Sequence, residues 1–458
     1  MKLAFGKSKF KGRKAICALL ALLALSVAAS AATTLTPDHL AYYQQAEEGA
    51  RVQVLIHLAQ SDHADDAEIL LQRFPLQGPH AANRTLFIRG LICEKRGQLT
   101  AAAAKFRAAL ASDPKLTMVR AELAQVLVAL GEDDSAKHHL QLLEADAPTS
   151  AQANGIRSFV EKLDAQTPFR FSGFISLAPS TNINQGSSHK DVTTPDGWDS
   201  ATIDPNSQRT SGIGETMGGS IGYVKRLGDH FQAVLAANAG GSIYSDQKFD
   251  SLGFSQSAEL RYMLDQGYFG FGAVGSQAID TVALNLGYYS FGPRISFAKM
   301  LSQRDQFSAS ATYEWRRPVG ASFANSTALQ TNATLTHAID SGSNVAVLGG
   351  YDKVSNFLSY NAYQAETFGL GFYKEMPWGL TVEGQGTVRL AQFGDVTPVY
   401  NLTRTDQRYT GSATFTKRDW NWFGFAPSVN YTYVRNVSNI DLYDYDSHSV
   451  DFRLTKNF

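Results

Sequence analysis

The chain has 458 residues, with 41 Lys and Arg against 42 Asp and Glu, for a formal net charge of −1. That balance supplies no basic field for nucleic acid, and the length is more than one domain needs. Two cysteines exclude a disulfide-built scaffold.

The N-terminus reads as a secretory signal peptide over residues 1–32. Lys2, Lys7, Lys9, Lys11, Arg13 and Lys14 form a basic start, Ala15 to Val27 an apolar run, and Ala28 to Ala32 a stretch of small residues. Cleavage is expected after Ala31 or Ala32. Cys17 lies at the start of the apolar run, which argues against a lipoprotein cleavage site. Processing would remove six basic residues and no acidic one, leaving 35 positive and 42 negative charges, or −7. Only Cys93 would remain, so no intramolecular disulfide is expected. No later segment offers the run of about eighteen apolar residues that a membrane helix needs.

Residues 33–168 and 169–458 differ in composition. The first hold six aromatic residues (Tyr42, Tyr43, Phe74, Phe87, Phe106 and Phe159) and the second hold 43. A shift of that size marks a change of fold class. In the first part a repeat recurs at 34 residues: Gly97 and Gly131, Ala102 and Ala136, Phe106 and Leu140, Pro114 and Pro148. This is the tetratricopeptide spacing, in which glycine turns the chain, the small residue lets helices approach, and proline closes the unit. A degenerate unit is expected over residues 41–80, and a capping helix over residues 150–164.

Beyond residue 168 the apolar period becomes two. Phe307, Ala309, Ala311, Tyr313 and Trp315 alternate with Ser308, Ser310, Thr312, Glu314 and Arg316. Residues 380–390 and 423–433 alternate in the same way. Aromatics at expected strand ends (Tyr223, Tyr262, Trp315, Trp378, Trp420, Trp422 and Tyr433) match the girdles of a membrane barrel. Short turns alternate with longer polar loops, and Val450, Phe452, Leu454 and Phe458 share one phase at the C-terminus. The expected fold class is therefore α plus membrane β. A helical solenoid over residues 33–168 precedes an antiparallel transmembrane barrel of about fourteen strands over residues 169–458. An even count puts both barrel ends on one side, the periplasm.

Few residues look catalytic. His189, His230, His337 and His448 are scattered, and no nucleophile elbow, paired metal-binding histidines or phosphate loop is present. The acidic loop residues Asp191, Asp196, Asp199 and Asp204, and the run from Asp441 to Asp446, fit no calcium loop. Neither enzyme, metal nor cofactor is expected. Lumen-phase Glu259, Arg261, Glu314, Arg316, Glu383 and Arg389 are the expected lining of a translocation path, where charges solvate a polar interior. In the first barrel segment Pro179 is expected to end the strand. Asn182, Asn184 and Gln185 bring amides that satisfy backbone groups where a loop folds into a lumen.

The stretch Ala178-Pro-Ser-Thr-Asn-Ile-Asn-Gln185, after a short tetratricopeptide region and with a terminal Phe458, resembles the surface lipoprotein assembly modulator (Slam) family over residues 40–458. The resemblance implies an outer-membrane translocator that moves a lipoprotein, or a soluble haem- or metal-scavenging protein, to the cell surface. It also makes Pro179–Gln185 a segment of interest. Expected partners are outer-membrane lipids, the exported protein, periplasmic chaperones and the barrel-assembly machinery, with no nucleic acid and a monomeric state. Rival readings are an exopolysaccharide export porin, which would carry more repeats, and a passive porin, which would conduct as an open pore.

Overall fold

The computed structural model describes residues 37–456, apart from 167, 193–200, 284, 399 and 421–424. The expected signal peptide, Asp196, Asp199, Trp422 and Phe458 lie outside the described residues. The chain forms two compact units, one helical and one a barrel.

The helical unit runs α1 (Pro37–Gln45), α2 (Glu48–Gln60), α3 (Ala64–Arg73), α4 (Ala81–Lys95), α5 (Leu99–Ser112), α6 (Thr117–Leu130), α7 (Asp133–Ala145) and α8 (Ser150–Gln166). Gly97 and Gly131 take φ of +75° and +81°. In both places the chain leaves the helix through a six-residue closure: the Gln98 amide donates to the Cys93 carbonyl at 2.8 Å, and that of Glu132 to Leu127 at 2.9 Å. Glycine is the residue that adopts this conformation without a Cβ penalty. Helices α5 and α7 stop short of Pro114 and Pro148, as the steric demand of proline on its predecessor requires.

Between the helices Ala102, Phe106, Ala136 and Leu140 are fully buried. The Phe106 ring packs 6.0 Å from that of Phe87 and lies against Gly90 of α4. A Cβ on Gly90 would stand 2.2 Å from a Phe106 ring carbon. Gly90 therefore holds the space that the aromatic residue fills.

The barrel strands are β1 (Phe169–Ser180), β4 (Gly212–Leu227), β5 (Phe231–Ile243), β6 (Ser251–Leu264), β7 (Gly267–Asp280), β8 (Asn285–Met300) and β9 (Asp305–Pro318). They continue as β10 (Ser326–Asp340), β11 (Ser343–Asn356), β12 (Tyr363–Met376), β13 (Leu380–Thr397), β14 (Leu402–Lys417), β15 (Ala426–Ser438) and β16 (Tyr445–Lys456). Two short strands, β2 (Asp191–Val192) and β3 (Ala201–Thr202), form a ribbon inside the first loop. The fourteen long strands close into one barrel in which β1 meets β16. Turns of a few residues join them at one end, such as 265–266 and 341–342, while loops such as 181–211, 244–250 and 439–444 lie at the other.

Alternation sets the two faces. On β1 Phe169, Phe171, Ile175 and Leu177 are exposed on the outside, whereas Ser172 and Phe174 line an interior cavity. Apolar residues on the outer phase of β4 (Ile213, Met217, Ile221), β7 (Phe269, Phe271) and β12 (Phe368, Leu370, Phe372) are exposed in the same way. In water that surface would aggregate; in a bilayer it is the lipid contact.

One sequence expectation needs correction. Pro179 does not end the first strand, because β1 continues to Ser180 and Pro179 registers with Ile213 of β4. The strand tolerates it because the ladder to β16 skips Ala178 and Pro179, so no bond there calls for the missing N–H. The stretch 380–390, read as alternating, lies within a strand that runs to Thr397.

Gly90→Val is expected to destabilise the helical unit by about 1–3 kcal/mol through overpacking against Phe106. Phe106→Ala should cost about 3–5 kcal/mol through a cavity. Helical circular dichroism of the detergent-solubilised chain during thermal unfolding reads both. Pairing Gly90→Ala with Phe106→Leu should recover much of the loss if the clash is its cause.

Candidate functional site

The barrel interior presents two kinds of wall. Along β1 and β4–β7 it is built from small and hydroxyl residues. Ser172, Gly218, Ser220, Asn238, Gly253 and Ser255 line a cavity of about 790 Å³. The Ser276 and Ser290 hydroxyls meet at 2.7 Å. Such groups offer weak, exchangeable hydrogen bonds and no deep pocket.

The interior also carries paired charges, the first of them on β6 itself. Arg261 bonds Glu259 at 2.5 Å, with its guanidinium 4.0 Å from the Tyr268 ring, and Ser296 donates to the other Glu259 oxygen at 2.9 Å. Arg316 bonds Glu314 at 3.1 Å. Both pairs occupy positions i and i+2 of one strand, which fall on the same face of the pleat. Arg389 does not join Glu383; it reaches Asp352 on β11 at 3.3 Å and stacks 5.1 Å from the Tyr363 ring. Glu383 is exposed. None of these pairs is fully desolvated, so each contributes at most about 1 kcal/mol. Each pair sets opposite charges side by side on the inner face.

The spacing that exposed Glu259/Arg261 and Glu314/Arg316 recurs in two places that sequence reading passed over. Arg404 bonds Asp406 at 2.5 Å and lies 3.4 Å from the Tyr443 ring. Asp451 and Arg453 form the second case: Ser176 of β1 donates to one Asp451 oxygen at 3.3 Å and Asn430 of β15 to the other at 3.2 Å. The Arg453 guanidinium lies 4.4 Å from the Phe174 ring.

The described residues of the first loop form a hydrogen-bonded polar element at the barrel mouth. Asn182 is only 3% exposed; its amide nitrogen donates to the carbonyls of Gly186 at 2.8 Å and Asp446 at 3.0 Å, and its oxygen accepts from the Gly186 amide at 3.0 Å. Asn184 donates to the carbonyls of Asn206 and Gln208 at 3.0 and 2.8 Å, tying the two limbs of the loop together. Gln185 takes φ of +51° and accepts from the Tyr445 hydroxyl at 2.9 Å. Ser187 donates to the Asp441 carbonyl at 2.6 Å, and Arg209 reaches Asp446 at 3.1 Å. Val192 and Ile203 of the loop share an apolar cluster with Tyr400 and Ile440. Asn182, Ile183 and Gln185 line a cavity of about 250 Å³ together with lumen-phase Ser180, Arg408 and Ser447. The loop thus sits at the lumen mouth and is fastened to the last hairpin.

In the helical unit, Glu94 of α4 and Glu122 of α6 lie on the first helices of successive repeats. Burial pushes the Glu94 carboxyl up to about 8, with the Glu122 charge adding to the rise, and burial raises Glu122 as well. Among the described residues no group of His, Cys, Asp and Glu is placed to hold a metal ion.

These features define an outer-membrane β-barrel preceded by tetratricopeptide-type helical repeats. The chain belongs to the surface lipoprotein assembly modifier family, whose model matches residues 169–458; a tetratricopeptide repeat model matches residues 95–158. Similar proteins include surface lipoprotein assembly modifiers 1 and 2 of Haemophilus influenzae. The first is 21% identical over 80% of this chain and 75% of its own, the second 22% identical over 85% and 80%. The hemophilin secretion modulator of Acinetobacter baumannii is 23% identical over 82% of this chain and 79% of its own. The family is one of secretion barrels and not of enzymes.

Asn182→Ala should release the first loop while leaving the barrel closed. The expected reading is faster hydrogen exchange and protease nicking over residues 181–192 with unchanged heat-modifiable migration of the barrel. The raised Glu94 carboxyl has a defined sign: the folded state holds its proton where the unfolded chain, at about 4.5, has lost it. Stability of the helical unit therefore falls as pH rises from 4.5 toward 8, by about 1.4 kcal/mol per unit of difference between the two values. Thermal unfolding followed at pH 5 and pH 8 should show this slope, and Glu94→Gln should flatten it.

Proposed function

We propose that this protein moves a particular lipoprotein, or a soluble haem- or metal-scavenging protein, from the periplasm through the outer membrane to the cell surface. The observation that supports this most is the family match across the whole barrel, together with relatives named for lipoprotein assembly and for hemophilin secretion. In this reading residues 33–168 receive the substrate, or a chaperone carrying it, as helical solenoids commonly do. Residues 169–458 then pass it outward. The signal peptide over residues 1–32 routes the chain to the periplasm, and the barrel-assembly machinery inserts it as a monomer.

The lumen lining fits passage better than catalysis. Glu259, Arg261, Glu314, Arg316, Glu383 and Arg389 solvate the moving chain, each with weak and exchangeable contacts. Pro179, Asn182, Asn184 and Gln185 hold the first loop at the mouth until the substrate displaces it. No cofactor is invoked. The outer membrane holds no nucleotide energy source, so folding or ligand binding of the exported protein outside would supply the drive.

The test is deletion of the gene in cells that also express the candidate cargo. Cargo should vanish from the surface, as read by protease shaving and antibody labelling of intact cells, and accumulate in the periplasm. Complementation with the wild-type chain should restore it. Unchanged surface display in the deletion strain would overturn the proposal.

A further inference from the structure

On the inner face one row of side chains runs straight across six neighbouring strands. Ser172 of β1 is paired with Ser220 of β4, and Ser220 with Asn238 of β5. Asn238 is paired in turn with Ser255 of β6, Ser255 with Ser276 of β7, and Ser276 with Ser290 of β8. Neighbours along the row bond one another. The Ser172 and Ser220 hydroxyls meet, the Asn238 amide donates to the Ser255 hydroxyl at 3.1 Å, and the Ser276 and Ser290 hydroxyls meet at 2.7 Å. Strands lie about 4.8 Å apart, so the five steps make a row of roughly 24 Å. Each member is uncharged and carries both a donor and an acceptor.

The wall beside this row is kept small. Two residues toward the loop end, Gly218, Gly240 and Gly253 stand opposite one another on β4, β5 and β6. Two residues toward the turn end, Gly222 pairs with Ala236. The row therefore stands clear of its surroundings, and five of its members, Ser172 to Ser276, line the cavity of about 790 Å³. Thr216 and Asp451 line both this cavity and the smaller one at the mouth, to which Asn182, Ile183 and Gln185 of the first loop contribute. The interior across β11–β14 is furnished differently. There Arg389 stacks on Tyr363, Tyr363 packs 5.3 Å from Phe393, and Arg404 lies over Phe393.

We propose that this row is the track of the exported polypeptide, whose peptide groups exchange hydrogen bonds with it before the chain leaves beneath Asn182–Gln185. This rests on the function proposed above and names the part of the cargo that the barrel wall touches. Peptide N–H and C=O groups are common to every polypeptide, and a hydroxyl that both donates and accepts meets either of them. The small residues alongside leave room for side chains of any size. Because water competes for the same hydroxyls, each bond contributes little net free energy and is readily exchanged for the next. A wall of this kind reads the backbone and ignores the side chains, so cargo is selected by other parts of the chain.

The test uses the full-length chain in detergent and a synthetic unstructured peptide of Gly, Ser and Ala that carries a photoreactive group. Cross-linked residues are mapped by mass spectrometry. They should fall on β1 and β4–β7 in preference to the lumen phase of β13 and β14. A peptide of equal length with other side chains should be captured alike. The first peptide N-methylated along its backbone cannot donate, and its capture should drop by about fivefold or more, the equivalent of one neutral hydrogen bond. Ser172→Val, Ser220→Val and Ser255→Val combined should lower capture similarly, whereas Ser412→Val on β14 should leave it unchanged. Gly253→Leu reads the same track should the triple variant fail to assemble. Its Cβ meets nothing nearer than the Gln277 carbonyl oxygen at 3.6 Å, so it narrows the space beside the row without straining the wall. Asn182→Ala, which frees the loop over the exit, should raise capture. Even cross-linking around the interior, indifference to N-methylation, or wild-type capture by the serine, Gly253 or Asn182 variants would overturn the proposal. Failure of the function itself looks different: surface display of cargo is then unchanged in the deletion strain, while the row still captures the peptide.

Discussion

The bilayer interior offers no hydrogen-bond partner to a peptide group, and this single constraint shapes the barrel. Every N–H and C=O within the hydrocarbon has to be met by a neighbouring strand, so the sheet closes on itself. Closure fixes the rest. Side chains alternate between lipid and lumen because the pleat leaves no other choice. Irregular backbone is moved to the two ends. Proline is admitted where the ladder is already broken, as at Pro179.

The same closure divides the electrostatics. Outside, a charge has no solvent; inside, it has water and partners. Acidic and basic side chains two positions apart on one strand share the inner face, and the wetted lumen lets them pair without the cost of full burial. The serine and glycine wall across β4–β7 is the complement. It makes room and offers hydroxyls.

Much of this architecture was legible in the residues themselves. Period two beyond residue 168, period 34 before it and the contrast in aromatic content are direct imprints of the two folds. What could not be read depends on distant partners. Gly90 is required by the ring of Phe106, a relation between two helices that no local pattern carries. Pro179 looked like a strand end because proline lacks a donor, but whether a donor is needed there depends on a strand some 270 residues away. The partner of Arg389, Asp352, was not legible either, because it lies across the sheet, where a long side chain reaches past one strand. In the first loop the amide-rich stretch Asn182–Gln185 signalled backbone satisfaction, but some of the groups it satisfies, such as the Asp446 carbonyl, belong to the other end of the chain.

That last feature bears on biogenesis. The bonds that fasten the first loop to the last hairpin join residues 237 to 267 positions apart in the chain, from Arg209 with Asp446 to His448 with Thr181. Contacts of such separation cannot form until the intervening strands are in place, and nonlocal pairings of this kind make folding slow. The loop therefore stays loose in every partly inserted intermediate and acquires its order only when the final hairpin arrives. Its settling marks the moment at which the cylinder is complete, so a nascent barrel exposes a pliable entrance and a mature one a fixed rim.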